Sequence, residues 1–114
     1  VWGDGTASRE LLYVDDAAEA IVLAAENYDK PDPINIGSGR ETPIKELAEL
    51  ICKLMNFQGA IKWDISKVGG QHRRMLDTTR AEKEFGFKAR TNLEDGLRNT
   101  INWYNNEYKN RDIK

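Results

Sequence analysis

The sequence predicts a small mixed α/β unit, with short strands and about four helices. Three observations point there. Apolar runs of three to five residues with strand-like character alternate with longer segments whose apolar positions recur every three or four residues. Glycine- and proline-bearing breaks such as KPDP, GSG and QG separate them. Threonines and aspartates stand where helices would begin. The order that results is β-α-β-α-β-β-α-α, over a single domain spanning 1–114.

The loop VWGDGTAS leads into LLYV, residues 11–14, predicted as the first strand. Asp15 or Asp16 would cap a helix over 17–27, whose Ala17, Ala20, Ile21, Ala24 and Ala25 share a face that permits close packing. After KPDP, residues 34–36 form a short strand with a glycine exit. Thr42 and Pro43 read as N-cap and first helical residue of a helix reaching about 55 or 56. Residues 60–64 alternate as a strand, and 74–77 make another after a polar loop. Thr79 with Glu82, and Thr91 with Glu94, have capping-box spacing. The first opens a helix stopping near Gly86. The second opens a terminal helix with a stripe of Leu93, Leu97, Ile101, Tyr104 and Tyr108, and a tail expected to fray. Strands so short and few suggest that they complete a sheet begun elsewhere.

Charged residues make up 32% of the chain and hydrophobic ones 39%, with a net charge of −2. That balance is ordinary for a globular domain and argues against a broad nucleic-acid footprint. No apolar run approaches the ~18 residues of a membrane span, and no signal peptide is visible. One cysteine, Cys52, excludes an internal disulfide, favours the cytoplasm and reads as a small buried apolar residue. With one histidine beside it, the nitrogen and sulfur ligands of a zinc site are lacking.

Several residues could carry chemistry. Arg9 sits at the exit of the loop, and its planar fork of donors suits a diphosphate. Trp2 offers a flat apolar face for a base or sugar, or for packing at a seam. Gly3, Gly5 and Thr6 would let backbone approach a ligand or would simply turn the chain. Arg73 and Arg74 are adjacent, so in a strand they point to opposite faces and one alone serves a given pocket. The one that does not serve it would be solvated or salt-bridged, and Lys67 would add charge nearby. His72 has no partner by motif and reads as exposed and noncatalytic. Asp15, Asp16 and Asp77 read as structural, Trp103, Tyr104 and Tyr108 as core or seam, and the glycines of GSG as a tight exit.

Taken in order, VWGDGTASRELLYVDDAAEAI, INIGSG, TPIKELAELI, RRMLD, TTRAEKEFGF and TNLEDGLRNTINWY resemble the carboxy-terminal, substrate-binding part of the extended short-chain dehydrogenase/reductase family of nucleotide-sugar epimerases, dehydratases and reductases. The resemblance runs from residue 1 to about 108 and is nearest to the branch acting on GDP-sugars. It implies a parent enzyme whose amino-terminal Rossmann half binds NAD or NADP and supplies catalytic Ser, Tyr and Lys for chemistry through a 4-keto sugar. It assigns Arg9 and Arg74, with Lys67 and Trp2, to the nucleotide-diphosphate sugar, and implies a cytoplasmic homodimer. Neither GxxGxxG nor YxxxK occurs here, so this chain alone holds no catalytic residue and no cofactor site. Val68-Gly69-Gly70 stands where that branch has Pro-Asp-Gly, which leaves UDP- and CDP-sugars open. The alternative is a stand-alone nucleotide-sugar-binding or interaction module without catalysis.

Overall fold

A computed structural model describes residues 1–67 and 70–109, without the side chains of Tyr108 and Lys109. The expectations for Val68, Gly69, the Tyr108 side chain and the tail therefore lie outside the described residues. The elements are β1 (Ser8–Glu10), α1 (Val14–Asn27), β2 (Glu41–Pro43), α2 (Ile44–Leu54), β3 (Arg73–Arg74), α3 (Thr79–Phe85) and α4 (Leu93–Lys109). The sheet runs β2-β1-β3, with β1 antiparallel to β2 and parallel to β3.

The fold class is as predicted, but the strands fall elsewhere. The first strand lies at Ser8–Glu10, not at residues 11–14, and Val14 already opens α1. Pairing decides this: Ser8 N–H donates to the His72 carbonyl at 2.9 Å, and β1 is laddered on both sides. Strand propensity in LLYV yields to the position of its partners. Residues 34–36 form no strand, although Ile34 and Ile36 pack on the core. Residues 60–64 contribute only an isolated bridge, Trp2 to Asp64. The predicted strand at 74–77 shrinks to Arg73–Arg74, because the Leu76 N–H is taken by the Glu10 carboxylate at 2.8 Å.

The helices stand near their predicted positions, yet their caps differ. Thr42 and Pro43 lie in β2, and Pro43 is itself the N-cap residue of α2. The free N–H groups of Ile44 and Lys45 reach the carbonyls of Ala7 and Gly5 at 2.8 and 3.0 Å, so a threonine cap is not needed. Asp15 and Asp16 do not cap α1; they lie in its first turn, where the helix dipole favours a carboxylate. Asp16 is 6% exposed and accepts from Thr91 N and Oγ1 at 3.0 and 3.1 Å. This clamp consumes Thr91, and the α4 cap passes to Asn92, whose Oδ1 accepts from Asp95 N at 2.9 Å. At α3, Asp77 accepts from Thr79 N and Oγ1 in place of the Thr79–Glu82 box, which bears out its structural reading. Gly86 ends α3 in the left-handed conformation, at φ 71°.

The core is small. Ala20, Ala81, Phe85 and Phe87 are buried, flanked by Leu12, Leu23, Ala24, Tyr28, Ile34, Ile36 and Ala89. Ala20 on α1 meets α3 closely, as the alanine face predicted, but Ile21 and Ala25 point outward. Tyr28 meets Phe85 edge-on, with centroids 6.1 Å apart. Cys52 is half-buried with a free thiol, not fully buried. Leu93, Leu97 and Ile101 are half-buried, whereas Trp103 and Tyr104 are exposed and so are not core. The accessible area is 8764 Å², against about 6,300 Å² for a compact monomer of this mass.

One face of the sheet is held by charge. The Ser8 hydroxyl donates to Glu41, and Arg73 Nε donates to both Glu41 oxygens at 2.9 and 2.8 Å. These contacts, Ser8 first and Arg73 second, hold the Glu41 carboxyl below the ordinary glutamate range.

Two outcomes are expected. Phe87→Ala should lower unfolding stability by about 3 kcal/mol, and Ile65→Ala, at an exposed site, by less than about 0.5 kcal/mol, in urea titrations. Because the folded Glu41 pKa is depressed, its contribution is present above the unfolded value and is lost as pH falls through the folded one. Denaturation midpoints followed from neutral pH into the acid range should therefore fall less steeply for Glu41→Gln than for the wild type.

Candidate functional site

Strand alternation sorts the charged residues of the sheet. Ser8, Glu10, Glu41 and Arg73 share one face; Arg9, Thr42 and Arg74 share the other, since Arg9 pairs with Thr42 and with Arg74. On the first face every charge has a partner. On the second, neither Arg9 nor Arg74 has a carboxylate within ion-pair distance among the described residues. Adjacent strands put paired residues about 4.8 Å apart. Two like charges side by side repel, and an anion between them removes the repulsion.

Arg9 is half-buried, and its Nη1 donates to the Ser8 carbonyl at 2.6 Å. Gly70 lies beside it: a Cβ there would sit 3.9 Å from Nη2. The loop carrying Lys67 thus returns to the Arg9 guanidinium. That loop is started by Asp64, whose Oδ1 accepts from Ser66 N and Oγ at 3.1 and 2.6 Å. Lys67 is exposed, with its N–H on the Asp64 carbonyl at 3.3 Å. Trp2 is bridged to the same Asp64 by backbone and leaves its indole 73% exposed. Arg9 and Arg74 are therefore in register, while Trp2 and Lys67 sit on loops joined at Asp64. Arg73 is salt-bridged to Glu41, one of the two outcomes expected for it.

Other candidates have structural explanations. A Cβ at Gly5 would lie 2.8 Å from the Trp63 ring and 2.9 Å from Lys45 Cβ, so Gly5 makes room for neighbouring side chains, not for a ligand. Thr6 donates its N–H and hydroxyl to Asp4. His72 is exposed and uses its carbonyl to pair β1.

Glu10 went unassigned in the sequence. Its Oε1 accepts from Gly39 N at 2.7 Å and its Oε2 from Leu76 N at 2.8 Å. A Cβ at Gly37 would meet Oε1, so a side chain there would displace the carboxylate. The signal available was its parity with Ser8, which turns it away from Arg9. This arrangement also tests whether the GSG loop fits a dinucleotide. It does not: the Gly39 amide that would cradle a phosphate already serves a carboxylate, which would repel one.

A cavity of about 740 Å³ lies elsewhere. It is a mostly apolar groove between Leu11, Val14, Leu93, Leu97 and Trp103, and it contains none of the four predicted binding residues. No helix among the described residues is long and apolar enough to cross a membrane.

Known proteins share much of this sequence and fold. The model of the NAD dependent epimerase/dehydratase family matches residues 1–37. GDP-L-fucose synthase 1 of Arabidopsis thaliana is 40% identical over 111 residues, covering 97% of this chain and 34% of the relative. A GDP-L-fucose synthetase from Naegleria fowleri bound to NADP superposes with a TM-score of 0.87 at 28% identity, covering 96% of this chain and 35% of the other. UDP-glucose 4-epimerase from Thermotoga maritima, with UDP-glucose, gives 0.86 at 29% identity, covering 95% and 35%. The chain spans about a third of the length of the curated relatives it matches. Motif order, fold and sequence identity agree: the chain matches part of the NAD dependent epimerase/dehydratase family model and about a third of the length of GDP-L-fucose synthase relatives.

Proposed function

We propose that this chain is the portion of an NAD(P)-dependent nucleotide-sugar epimerase/reductase that grips the diphosphate of its substrate, with a GDP-sugar favoured. Arg9 and Arg74 hold the phosphates, Lys67 adds charge, and Trp2 offers its face to the base or sugar. The observation that carries this reading is the register of Arg9 and Arg74 on one sheet face with no acid to neutralise them among the described residues. A diphosphate is the anion that such a pair accommodates, two oxygens to each planar fork. The GDP preference rests on the GDP-L-fucose synthase relatives. The UDP-glucose 4-epimerase structure supports a UDP-sugar as the second reading.

Nicotinamide chemistry belongs, in this reading, to a part of the longer parent outside these residues. Remote binding energy at the diphosphate would orient the reacting sugar carbon. The surface of α1 supports a partner layer. Val14, Ile21 and Val22 lie seven and eight residues apart, hence on one helix face, and all are exposed.

Calorimetry on the protein at its gene-encoded length, with GDP, UDP and GMP, tests the grip. Arg9→Ala should weaken binding of the preferred diphosphate by about thirtyfold, on the order of 2 kcal/mol. Arg73→Ala, whose guanidinium is occupied by Glu41, should stay within about threefold. Unchanged affinity in Arg9→Ala together with a large drop in melting temperature would reverse the assignment.

A further inference from the structure

We infer that Glu10 is the positioning residue that keeps Arg74 in register with Arg9, an inference that rests on the diphosphate reading of that face. The ladder joining β1 to β3 is two residues long, Ser8 to Arg73 and Arg9 to Arg74. So short a pairing fixes little by itself, and the backbone of β1 leaves the sheet after Glu10. The Glu10 side chain continues the attachment. Its Oε2 takes the Leu76 N–H at 2.8 Å, two residues past Arg74, and its Oε1 takes the Gly39 N–H at 2.7 Å. One carboxylate thus ties three segments: the Arg9 strand, the GSG turn and the Arg74 strand.

Glutamate suits the task for two reasons. Both its oxygens accept, so two N–H groups are satisfied at once. It also sits on the opposite face from Arg9, so it organises the two guanidinia without neutralising them. A glutamine of the same shape keeps one acceptor and turns two donors on the other N–H. A methyl group at Gly37 would displace the carboxylate while leaving its chemistry intact.

The test uses the protein at its gene-encoded length and five variants: Glu10→Gln, Glu10→Asp, Gly37→Ala, Arg9→Ala and Arg74→Ala. Affinities for GDP, UDP and GMP are measured beside melting temperature and hydrogen exchange of the Leu76 and Gly39 amides. Glu10→Gln and Gly37→Ala should each weaken the preferred diphosphate by about tenfold, leave GMP within about twofold, and speed exchange at Leu76. Rescue of part of the lost affinity in Glu10→Asp relative to Glu10→Gln would agree with a role as acceptor. Retained diphosphate affinity in a folded Glu10→Gln protein overturns the inference. So does an equal loss for GMP and diphosphate that follows the melting temperature, as does failure of both Glu10→Gln and Gly37→Ala to fold, since each assigns Glu10 to the fold alone. If Arg9→Ala and Arg74→Ala keep wild-type affinity, the diphosphate reading itself fails. If they lose it while Glu10→Gln does not, only the role of Glu10 is lost.

Discussion

Side-chain alternation along β1 is the constraint on which the charged architecture depends. Three residues, Ser8, Arg9 and Glu10, send two side chains to one face and one to the other. On the first face Glu41 takes Ser8 and Arg73, and Glu10 takes two backbone N–H groups. On the second, Arg9 and Arg74 are left without a carboxylate partner among the described residues. Exposed ion pairs add little stability, so the value of the Glu41 network lies in register. A slip of one residue would exchange Arg73 and Arg74 between the faces. Glu41 would then face Arg74, and the pair without a carboxylate would vanish.

The glycine-rich segments serve the same end by an indirect route. Gly5 is small so that Trp63 and Lys45 can close over it, and its carbonyl then accepts from Lys45 N at the start of α2. Ala7 does the same for Ile44. The loop before β1 is thereby fastened to a helix N-terminus, where free N–H groups seek acceptors. Arg9 follows two residues later, on backbone held by α2 behind it and by two strands beside it. Glycine here yields space to neighbouring side chains of the same chain. The resemblance of GSG to a phosphate cradle fails for the same reason, because Glu10 fills the space that Gly37 leaves open.

What was legible in the sequence divides along the range of the forces involved. Helix interiors follow from apolar spacing, a local property, and α2, α3 and α4 stand close to their predicted positions. The predicted N-caps failed, two of them for a non-local reason. Thr91 was taken by Asp16 on another helix and α2 was capped by carbonyls of the opening loop, whereas Thr79 turned back to Asp77 only two residues away. Strands depend on partners far along the chain, so residues 11–14 and 34–36 misled, while the pairing of Ser8 with Pro43 gave no local sign. That Arg73 and Arg74 face opposite ways was legible because it rests on alternation alone. The role of Glu10 was not, since it requires knowing that Gly39 and Leu76 meet on either side of one carboxylate.

The apolar surface bears on why the grip is treated as part of a larger site. Helix α1 packs Ala20, Leu23 and Ala24 toward α3, yet Val14, Ile21 and Val22 project on another side. A helix apolar on two sides is ordinarily sandwiched between layers. Residues 34–36 show a related pattern, with Ile34 and Ile36 against the core in a run that carries no ladder. The accessible area exceeds that of a compact monomer by roughly 2,400 Å², more than a standard protein interface buries on both partners together. A further layer against α1 would remove the exposed valines and isoleucine from water. A layer that also kept water from the face of Arg9 and Arg74 would, on the proposed reading, lower the dielectric there and strengthen their pull on an anion. On the proposed reading, affinity for the substrate is therefore a property of the assembled parent, in which the same burial that completes the fold also sharpens the charge.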